Sequence, residues 1–372
     1  MKKIILLKLL ITTFLVSGQH TTELKGIVKN IDRDTLVVVQ SYKDVRYSGV
    51  EIPVQKGKMF QYSLKHDDTE EYSIIYKSDI KNGAWKPILF FPNGKTMTFE
   101  LYPTQEYSNN KVIGDALREQ QLKYQQVFGE KFSKLGDAIY GKIFQLKKDT
   151  DEYKKVKIRL DSLNEAALAF QHNYFLNDDS ILGLNEYVYL LQNAEAMMIS
   201  PDYFKEYQDY YLRKRFDHPL IERAVNLYVA LSEVKVGHKF IEIEITDRKN
   251  KSVKLSELMD KKKYIILDLW APWCGPCIRK SKSLLQNYSE VKTNAKIIGI
   301  VGGINDIKKA ENAINLMDYP WDNYVEIADK NQIWEKYGIA NSGGAQFVID
   351  KEGTIVAINP EIEEILKIIN EK

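Results

Sequence analysis

An apolar run that ends in two closely spaced cysteines limits the folds open to this chain more than any other segment. Residues 264–270 are almost continuously apolar, which is typical of a strand buried on both faces of a sheet. After three further residues come Cys274, Gly275, Pro276 and Cys277. Because proline has no N–H to lose in the first turn of a helix, it favours a helix start here. The segment predicts a buried strand that leads directly into a helix.

Cys274 and Cys277 are the only two cysteines in the 372 residues. In the predicted helix Cys274 lies at the start, and Cys277 follows one turn later on the same side. The unpaired N–H groups and the positive dipole end of the first turn favour a thiolate, which is the nucleophilic form of cysteine. Two intervening residues also permit a disulfide that opens and closes without a change of fold. The spacing therefore indicates redox chemistry.

Three other uses of such a cysteine pair fit this sequence less well. A structural zinc site needs four ligands, and the only nearby histidine is His238. Haem attachment needs a histidine directly after the second cysteine, where Ile278 stands. A purely structural disulfide would close a very short loop and add little stability. We predict no bound metal and no cofactor, since no nicotinamide or flavin motif is present either.

The hydrophobic pattern changes twice along the chain and predicts a multidomain α+β protein. Over 19–112, short alternating segments separated by turns favour a β-sandwich-like domain. Over 113–235, apolar residues recur every three or four positions, which favours about five helices. Over 236–372, strands and helices alternate, which favours a mixed α/β sheet flanked by helices.

The elements of the last region are predicted individually. The predicted strands cover 240–245, 264–270, 295–301, 345–349 and 354–358. The predicted helices cover 275–288, 306–317, 330–337 and 361–369.

Residues 1–18 have the composition of a secretory signal peptide. Lys2 and Lys3 precede an apolar run over 4–16, and the small residues Ser17 and Gly18 follow it, as at a signal-peptide cleavage site. The run is shorter than the roughly twenty residues that a membrane-spanning helix needs. An uncleaved N-terminal anchor is the alternative interpretation. We expect export to the periplasm or cell envelope, where the oxidation state of thiols is variable.

The charge balance argues against a dedicated nucleic-acid binder. There are 53 basic and 51 acidic side chains, a formal net charge of +2, whereas nucleic-acid-binding domains usually show a strong basic excess. Hydrophobic residues make up 44% and charged residues 28% of the chain, which excludes disorder throughout. Two cysteines are too few for a disulfide-dense scaffold.

The segment over 264–277 resembles the active-site segment of the thioredoxin superfamily. The segments over 236–240 and 253–258 and the predicted C-terminal hairpin are similar to its extracytoplasmic TlpA/ResA-like branch. This resemblance covers about 236–372 and implies a thioredoxin-like fold there. The preceding regions are similar to a β-rich domain, followed by helices, that stands ahead of such modules in secreted Bacteroidetes-type proteins. That second similarity implies no activity.

The resemblance assigns roles to individual residues. Cys274 corresponds to the attacking cysteine and Cys277 to the resolving one. Asp268 matches the buried carboxylate of thioredoxins, and burial raises the pKa of an acid. It is therefore expected to take the proton from Cys277 when that thiol attacks the mixed disulfide. The residues expected to support the site around the cysteines are Trp273, Gly275 and Pro276.

The sequence departs from the family pattern at three positions near the site. Gly344 stands where the family places a cis-proline facing the cysteines, and glycine does not enforce a cis bond. A looser loop is therefore expected. Lys282 replaces a proline of the active-site helix, and Lys280 stands where many relatives carry glutamate. With Arg279, these lysines either favour the thiolate electrostatically or form an ordinary solvated helix face.

The sequence thus predicts an exported thiol-disulfide oxidoreductase with disulfide-containing protein substrates. The Gly-Pro dipeptide and Asp268 resemble reducing thioredoxins, which favours a disulfide reductase, and the resemblance implies a membrane-embedded electron donor. One alternative is a non-catalytic binding or adaptor protein whose thioredoxin-like module is degenerate and loosened at Gly344. The other is a thiol peroxidase, although the context of Cys274 does not fit the usual Pro-x3-Thr-x2-Cys pattern. The oligomeric state is left open.

Overall fold

The predicted signal peptide over 1–18 lies outside the part of the chain that the structure describes. The computed structural model describes residues 20–148, 150–178, 180–215, 217–260, 263–339 and 343–371. Within these ranges, no helix combines the length and the apolar composition needed to cross a membrane.

The N-terminal region is rich in strands, as its alternating pattern predicts. Its elements are β1 His20–Val28, β2 Arg33–Gln40, β3 Val50–Gln55, β4 Met59–His66, β5 Tyr72–Tyr76, α1 Lys77–Lys81, β6 Ile88–Phe90, β7 Thr96–Leu101 and β8 Lys111–Ile113. They form two four-stranded sheets, in the orders β4-β1-β7-β8 and β3-β2-β5-β6. Leu24 and Phe99 from the first sheet share one apolar core with Leu36 and Ile74 from the second.

The middle region is helical and packs around tyrosines. Its described helices are α2 Ala116–Phe128, α3 Lys134–Ile143, α4 Asp151–Leu176, α5 Ile181–Asn193, α6 Lys205–Lys214 and α7 Pro219–Glu233. Ser180 caps α5 by accepting the N–H of Leu182, as expected of a serine before a helix. The rings of Tyr187, Tyr207 and Tyr211 stack in the core of this region.

The C-terminal region is a seven-stranded mixed sheet with helices on both faces. Its elements are β9 Glu244–Thr246, β10 Ser252–Lys254, α8 Leu255–Leu258, β11 Tyr264–Trp270, α9 Gly275–Gln286, α10 Tyr288–Asn294, β12 Ala295–Ile304, α11 Ile307–Met317, β13 Asp322–Ile327, α12 Ile333–Lys336, β14 Ala345–Ile349, β15 Ile355–Ile358 and α13 Ile362–Asn370. The strand order is β10-β9-β13-β12-β11-β14-β15. β11 runs parallel to β12 and antiparallel to β14, which places it inside the sheet.

Alternate residues of β11 belong to two different apolar cores. Ile266 and Trp270 pack on the face that α9 and α13 cover. Leu267 and Leu269 pack on the opposite face, where Ala230 of α7 also contributes. The continuous apolar run is explained by this two-sided burial, and α7 joins the helical region to the sheet.

Several predicted elements of the C-terminal region have different bounds in the structure. The strand predicted over 295–301 continues to Ile304 in β12, and the helix predicted over 275–288 ends at Gln286 in α9. The strand predicted over 240–245 begins only at Glu244 in β9. The helix predicted over 330–337 is reduced to α12, Ile333–Lys336, because Gln332 has a left-handed φ of 54° and cannot continue a helix.

One central strand was not predicted at all. β13 pairs parallel with β12 and is largely buried, yet it contains Asp322, Asn323 and Glu326 among six residues. These polar residues break the apolar run that predicts a buried strand. The pairing with β12 therefore decides its conformation.

Truncation of a β11 side chain tests the two-sided burial. Leu267 is 0% exposed, and we expect Leu267→Ala to lower the free energy of unfolding by about 2–5 kcal/mol, because it leaves a cavity in the core. Leu316 on α11 is 79% exposed, so Leu316→Ala should change it by less than about 0.5 kcal/mol. Urea unfolding followed by fluorescence measures both. Equal losses in the two variants would contradict the burial of β11.

Candidate active site

The two cysteines lie at the first turn of α9 and are joined by a disulfide. Cys274 is the N-cap residue, and its Sγ accepts the N–H of Cys277 at 3.2 Å. The two Cα atoms are 5.3 Å apart, a usual separation for a disulfide. The residues are 7% and 8% exposed. The pair is thus compatible with a Cys-x-x-Cys redox site at a positive helix end.

The residues between the cysteines begin the helix. α9 starts at Gly275, and Pro276 lies in the first turn, where no N–H partner is needed. The N–H of Cys274 donates to the carbonyl of Ala271 at 2.9 Å, and the N–H of Ile278 donates to the carbonyl of Cys274 at 3.0 Å. These bonds hold the turn between β11 and α9 in place.

Asp268 lies on β11, and its buried carboxyl accepts hydrogen bonds from two side chains. Ser281 Oγ donates to Oδ2 at 2.7 Å, and Gln346 Nε2 donates to Oδ1 at 3.0 Å. Asp268 is 1% exposed. Burial raises the pKa of the Asp268 carboxyl to about 6, although both hydrogen bonds act to lower it. Near neutral pH such a group can accept or release a proton.

Ser281 connects Asp268 to the helix turn that contains Cys277. Its Oγ lies 2.7 Å from Asp268 Oδ2 and 3.1 Å from the carbonyl oxygen of Cys277. The transfer of a proton from Cys277 to Asp268 stays a prediction.

Trp273 directly precedes Cys274, and its ring packs against the backbone of Gly303. Its Nε1 donates to the carbonyl of Gly303 at 3.3 Å. A Cβ atom on Gly303 would stand 2.7 Å from the Trp273 ring, and one on Gly302 would stand 2.4 Å from the ring of Trp334. The two adjacent glycines at the end of β12 therefore leave room for two tryptophans.

The segment before β14 approaches both the disulfide and β11. A Cβ on Gly344 would lie 1.9 Å from the carbonyl oxygen of Leu269, so this position has no room for a side chain. A Cβ on Gly343 would lie 2.3 Å from Cys274 Sγ and 3.3 Å from Cys277 Sγ. Gly343, which the sequence interpretation did not name, is therefore the residue that faces the disulfide. The described peptide bonds include no cis bond.

The basic residues of α9 differ in their surroundings. Lys280 Nζ donates to the carbonyls of Asn359 at 2.6 Å and Pro360 at 3.0 Å. It therefore ties α9 to the segment that precedes α13. Arg279 and Lys282 are exposed on the helix surface, as the solvated-face interpretation predicts.

Sequence reasoning missed three residues whose signals were present. Ser281 follows Cys277 by four positions and so lies on the same helix face. Gln346 is the polar residue of an apolar strand and lies opposite Asp268 in the antiparallel pairing of β11 and β14. Gly303 follows another glycine in an apolar strand, a pattern that indicates a bulge or a close approach.

Comparisons with known proteins agree with this geometry. Residues 236–358 match the model of the AhpC/TSA family. The thiol-disulfide oxidoreductase ResA of Bacillus anthracis is 27% identical over 127 residues, which are 33% of this chain and 69% of that protein. ResA of Bacillus cereus is 25% identical over 142 residues, which are 36% of this chain and 79% of that protein.

A solved structure is also similar over the same share of the chain. The thioredoxin domain of a thiol-disulfide oxidoreductase from Bacteroides vulgatus is 25% identical, with a TM-score of 0.33. The match covers 37% of this chain and 99% of that one.

The family match and the cysteine pair define a thioredoxin-like oxidoreductase domain at the C-terminal end of this chain. This part of the chain, residues 236–358, is thioredoxin-like and similar to ResA.

The raised pKa of Asp268 predicts a pH-dependent stability. The Asp268 carboxyl holds its proton more tightly in the folded state than in the unfolded state. Its contribution to the free energy of unfolding is therefore fully present below about pH 4 and is lost as the pH rises through about 6. At pH 8 the loss is about 3 kcal/mol, from 1.36 kcal/mol per pKa unit. Asp268→Asn should therefore stabilise the protein at pH 8 and have little effect at pH 4.

Urea unfolding at the two pH values measures this difference. The matched control is Asp318→Asn, an exposed aspartate whose left-handed φ of 50° suits asparagine. It should show no pH-dependent stabilisation. An equal change at both pH values for Asp268→Asn would show that its charge is not the cause.

A methyl group at Gly343 tests its contact with the disulfide. Since a Cβ there would overlap Cys274 Sγ, Gly343→Ala should move the segment away and expose the disulfide. Reduction by dithiothreitol should then become severalfold faster, because exchange depends on access to the attacked sulfur. Gly129→Ala is the control, since no atom lies within 4 Å of a Cβ there. An unchanged rate for Gly343→Ala would contradict the contact.

Proposed function

We propose that this protein is an exported disulfide reductase that uses the Cys274–Cys277 dithiol. The observation that carries the proposal is the disulfide at the first turn of α9, the helix whose Ser281 donates to the buried carboxyl of Asp268. The similarity to proteins named thiol-disulfide oxidoreductase supports the same chemistry. The substrates are disulfide-containing proteins.

The reduced protein starts the reaction with the Cys274 thiolate. The thiolate attacks one sulfur of the substrate disulfide, a mixed disulfide forms, and one substrate thiolate leaves and takes up a proton. The N–H of Cys277, which lies 3.2 Å from Cys274 Sγ, stabilises the negative sulfur together with the helix dipole.

Cys277 completes the reaction. Its thiol gives a proton to Asp268, and the resulting thiolate attacks Cys274 Sγ. The second substrate thiolate leaves and takes up the proton that Asp268 releases, and the Cys274–Cys277 disulfide forms. In sum, the substrate disulfide gains two electrons and two protons, and the protein dithiol loses them. The cycle then needs an external two-electron donor, for which we take a membrane-embedded reductant.

The remaining parts of the chain fit an envelope protein. The signal-peptide-like segment over 1–18 supports export to the periplasm or cell envelope. The two sheets that share one core support a β-sandwich-like domain over 19–112. The helices support a separate helical region over 113–235, ahead of the thioredoxin-like domain over 236–372.

The reduction potential of the cysteine pair tests the direction of the reaction. Equilibration against dithiothreitol or glutathione buffers should give a value near about −270 mV, as for a reducing thioredoxin. A value near about −120 mV would instead indicate an oxidase. If the pair did not cycle at all, the protein would be the non-catalytic adaptor.

Single cysteine variants test the order of the two attacks. Cys277→Ser should accumulate a mixed disulfide with a substrate peptide, because the resolving thiol is missing. Cys274→Ser should accumulate little, because the remaining thiol of Cys277 does not occupy the N-cap position, where the helix dipole favours a thiolate. Mass spectrometry detects the adduct. Trapping by Cys274→Ser alone would reverse the assignment, and rapid hydrogen-peroxide consumption by the reduced protein would favour the peroxidase.

A further inference from the structure

The loop between β2 and β3, residues 41–49, contacts the rim of the redox site. The guanidinium carbon of Arg46 stands 3.1 Å from the centroid of the Trp273 ring. Arg46 Nε donates to both carboxylate oxygens of Asp44, at 2.8 and 2.9 Å, which fixes its orientation. The N-terminal region therefore covers part of the side chain that directly precedes Cys274.

Two hydrogen bonds anchor this loop to the thioredoxin-like domain. Tyr47 Oη donates to Asp329 Oδ2 at 2.8 Å, and Asn305 Nδ2 donates to the carbonyl of Tyr47 at 3.2 Å. The contact of Arg46 is thus part of a three-point attachment. It joins regions that are far apart in the sequence.

Beside this attachment lies a cleft of about 520 Å³ that all three regions line. The loop contributes Tyr42 and Tyr47, the start of α7 contributes Glu222, and the thioredoxin-like domain contributes Trp273 and Trp334. The volume is within the range of ligand-binding sites, and aromatic rings with a few polar groups are typical of their walls. Trp273, which lines the cleft, directly precedes Cys274 in the chain.

One wall of the cleft has a strained backbone. Ala328, Asp329 and Gln332 have left-handed φ values of 53°, 53° and 54°. Such values are unfavourable for residues other than glycine and are concentrated at functional sites. The N–H of Ala328 donates to the carbonyl of Ile304 at 2.8 Å, which helps to hold the wall at the end of β12.

The charged groups of the cleft leave an acidic excess. Asp44 pairs with Arg46, and Glu335 pairs with Arg223. Among the described lining residues, the charged side chains outside these two pairs are two acids, Glu222 and Asp329, and one base, Lys43.

Burial adds a second reason for a basic ligand. It raises the pKa of the Asp329 carboxyl above its usual value. A cationic group beside this carboxyl would offset the penalty on its charged form.

We propose that this cleft binds an extended segment of the substrate polypeptide, with a basic residue next to the cysteine whose disulfide is reduced. The segment lies between the β2–β3 loop and the strained wall, and its disulfide meets Cys274 beside Trp273. A disulfide alone is far smaller than the cleft, and the mixture of aromatic and acidic walls matches a lysine- or arginine-containing peptide. This inference names the substrate class of the proposed function and rests on it.

Two matched peptides test the charge preference. Both carry the same chromophoric thiol in a mixed disulfide with one cysteine, which is flanked by lysines in the first and by glutamates in the second. The prereduced full-length protein is mixed with each peptide, and release of the chromophore is followed over a single turnover at several peptide concentrations. We expect kcat/KM to be at least about threefold higher for the lysine peptide, chiefly through KM, and the preference to weaken in high salt.

Cleft variants test where the preference arises. Glu222→Gln and Asp329→Asn, combined, should reduce the ratio of the two kcat/KM values toward one, and asparagine is compatible with the left-handed φ of position 329. The control is Glu257→Gln, an exposed glutamate on α8 that does not line the cleft, which should keep the wild-type ratio. Equal rates for both peptides in the wild type, or a ratio that the cleft variants do not change, would overturn the inference.

Binding measured without turnover separates the two proposals. Fluorescence anisotropy with labelled peptides in which serine replaces cysteine reports on the cleft alone. Selective binding of the lysine peptide without chromophore release would support the cleft and refute the reductase. Reduction of both peptides at equal rates, with equal binding, would support the reductase and refute the cleft.

Discussion

The redox site depends on the two-sided burial of β11. This strand is hydrogen-bonded to β12 on one side and to β14 on the other, and its alternate residues enter separate apolar cores. Its position and direction are therefore set by many contacts. Because the chain turns directly from β11 into α9, Cys274 is placed at the positive end of a helix, where a thiolate is stabilised. The same strand carries Asp268 into the interior, where its carboxyl has a raised pKa.

Glycine backbone forms much of the surface around the cysteines. Gly343 faces the disulfide, Gly344 lies against β11, and Gly303 lies under Trp273, and none of them has room for a Cβ atom. A wall of backbone presents few side chains with which to select a substrate. The β2–β3 loop brings a side chain from another region to the rim, where Arg46 contacts the ring of Trp273. The N-terminal region thus contacts a site that it does not itself contain.

Local sequence patterns predicted the elements that carry the chemistry. The bounds of β11, the start of α9 and the hairpin near the C-terminus follow from apolar runs, a proline and turn residues. The same reasoning failed at β13 because its polar residues hide a buried strand. The sequence-based prediction also made α12 too long. The left-handed backbone at Gln332 depends on packing and cannot be recognised from the spacing of hydrophobic residues.

The sequence by itself determined the reactive group and its setting: two cysteines at a helix start, after an apolar strand with one acid. These are local features, because strand, turn and helix are adjacent in the chain. Only the tertiary structure decided which side chains meet that group. Gln346 reaches Asp268 across a strand pair, and Arg46 reaches Trp273 from another region. Such contacts join residues that are distant along the chain, and their proximity follows from how the cores pack.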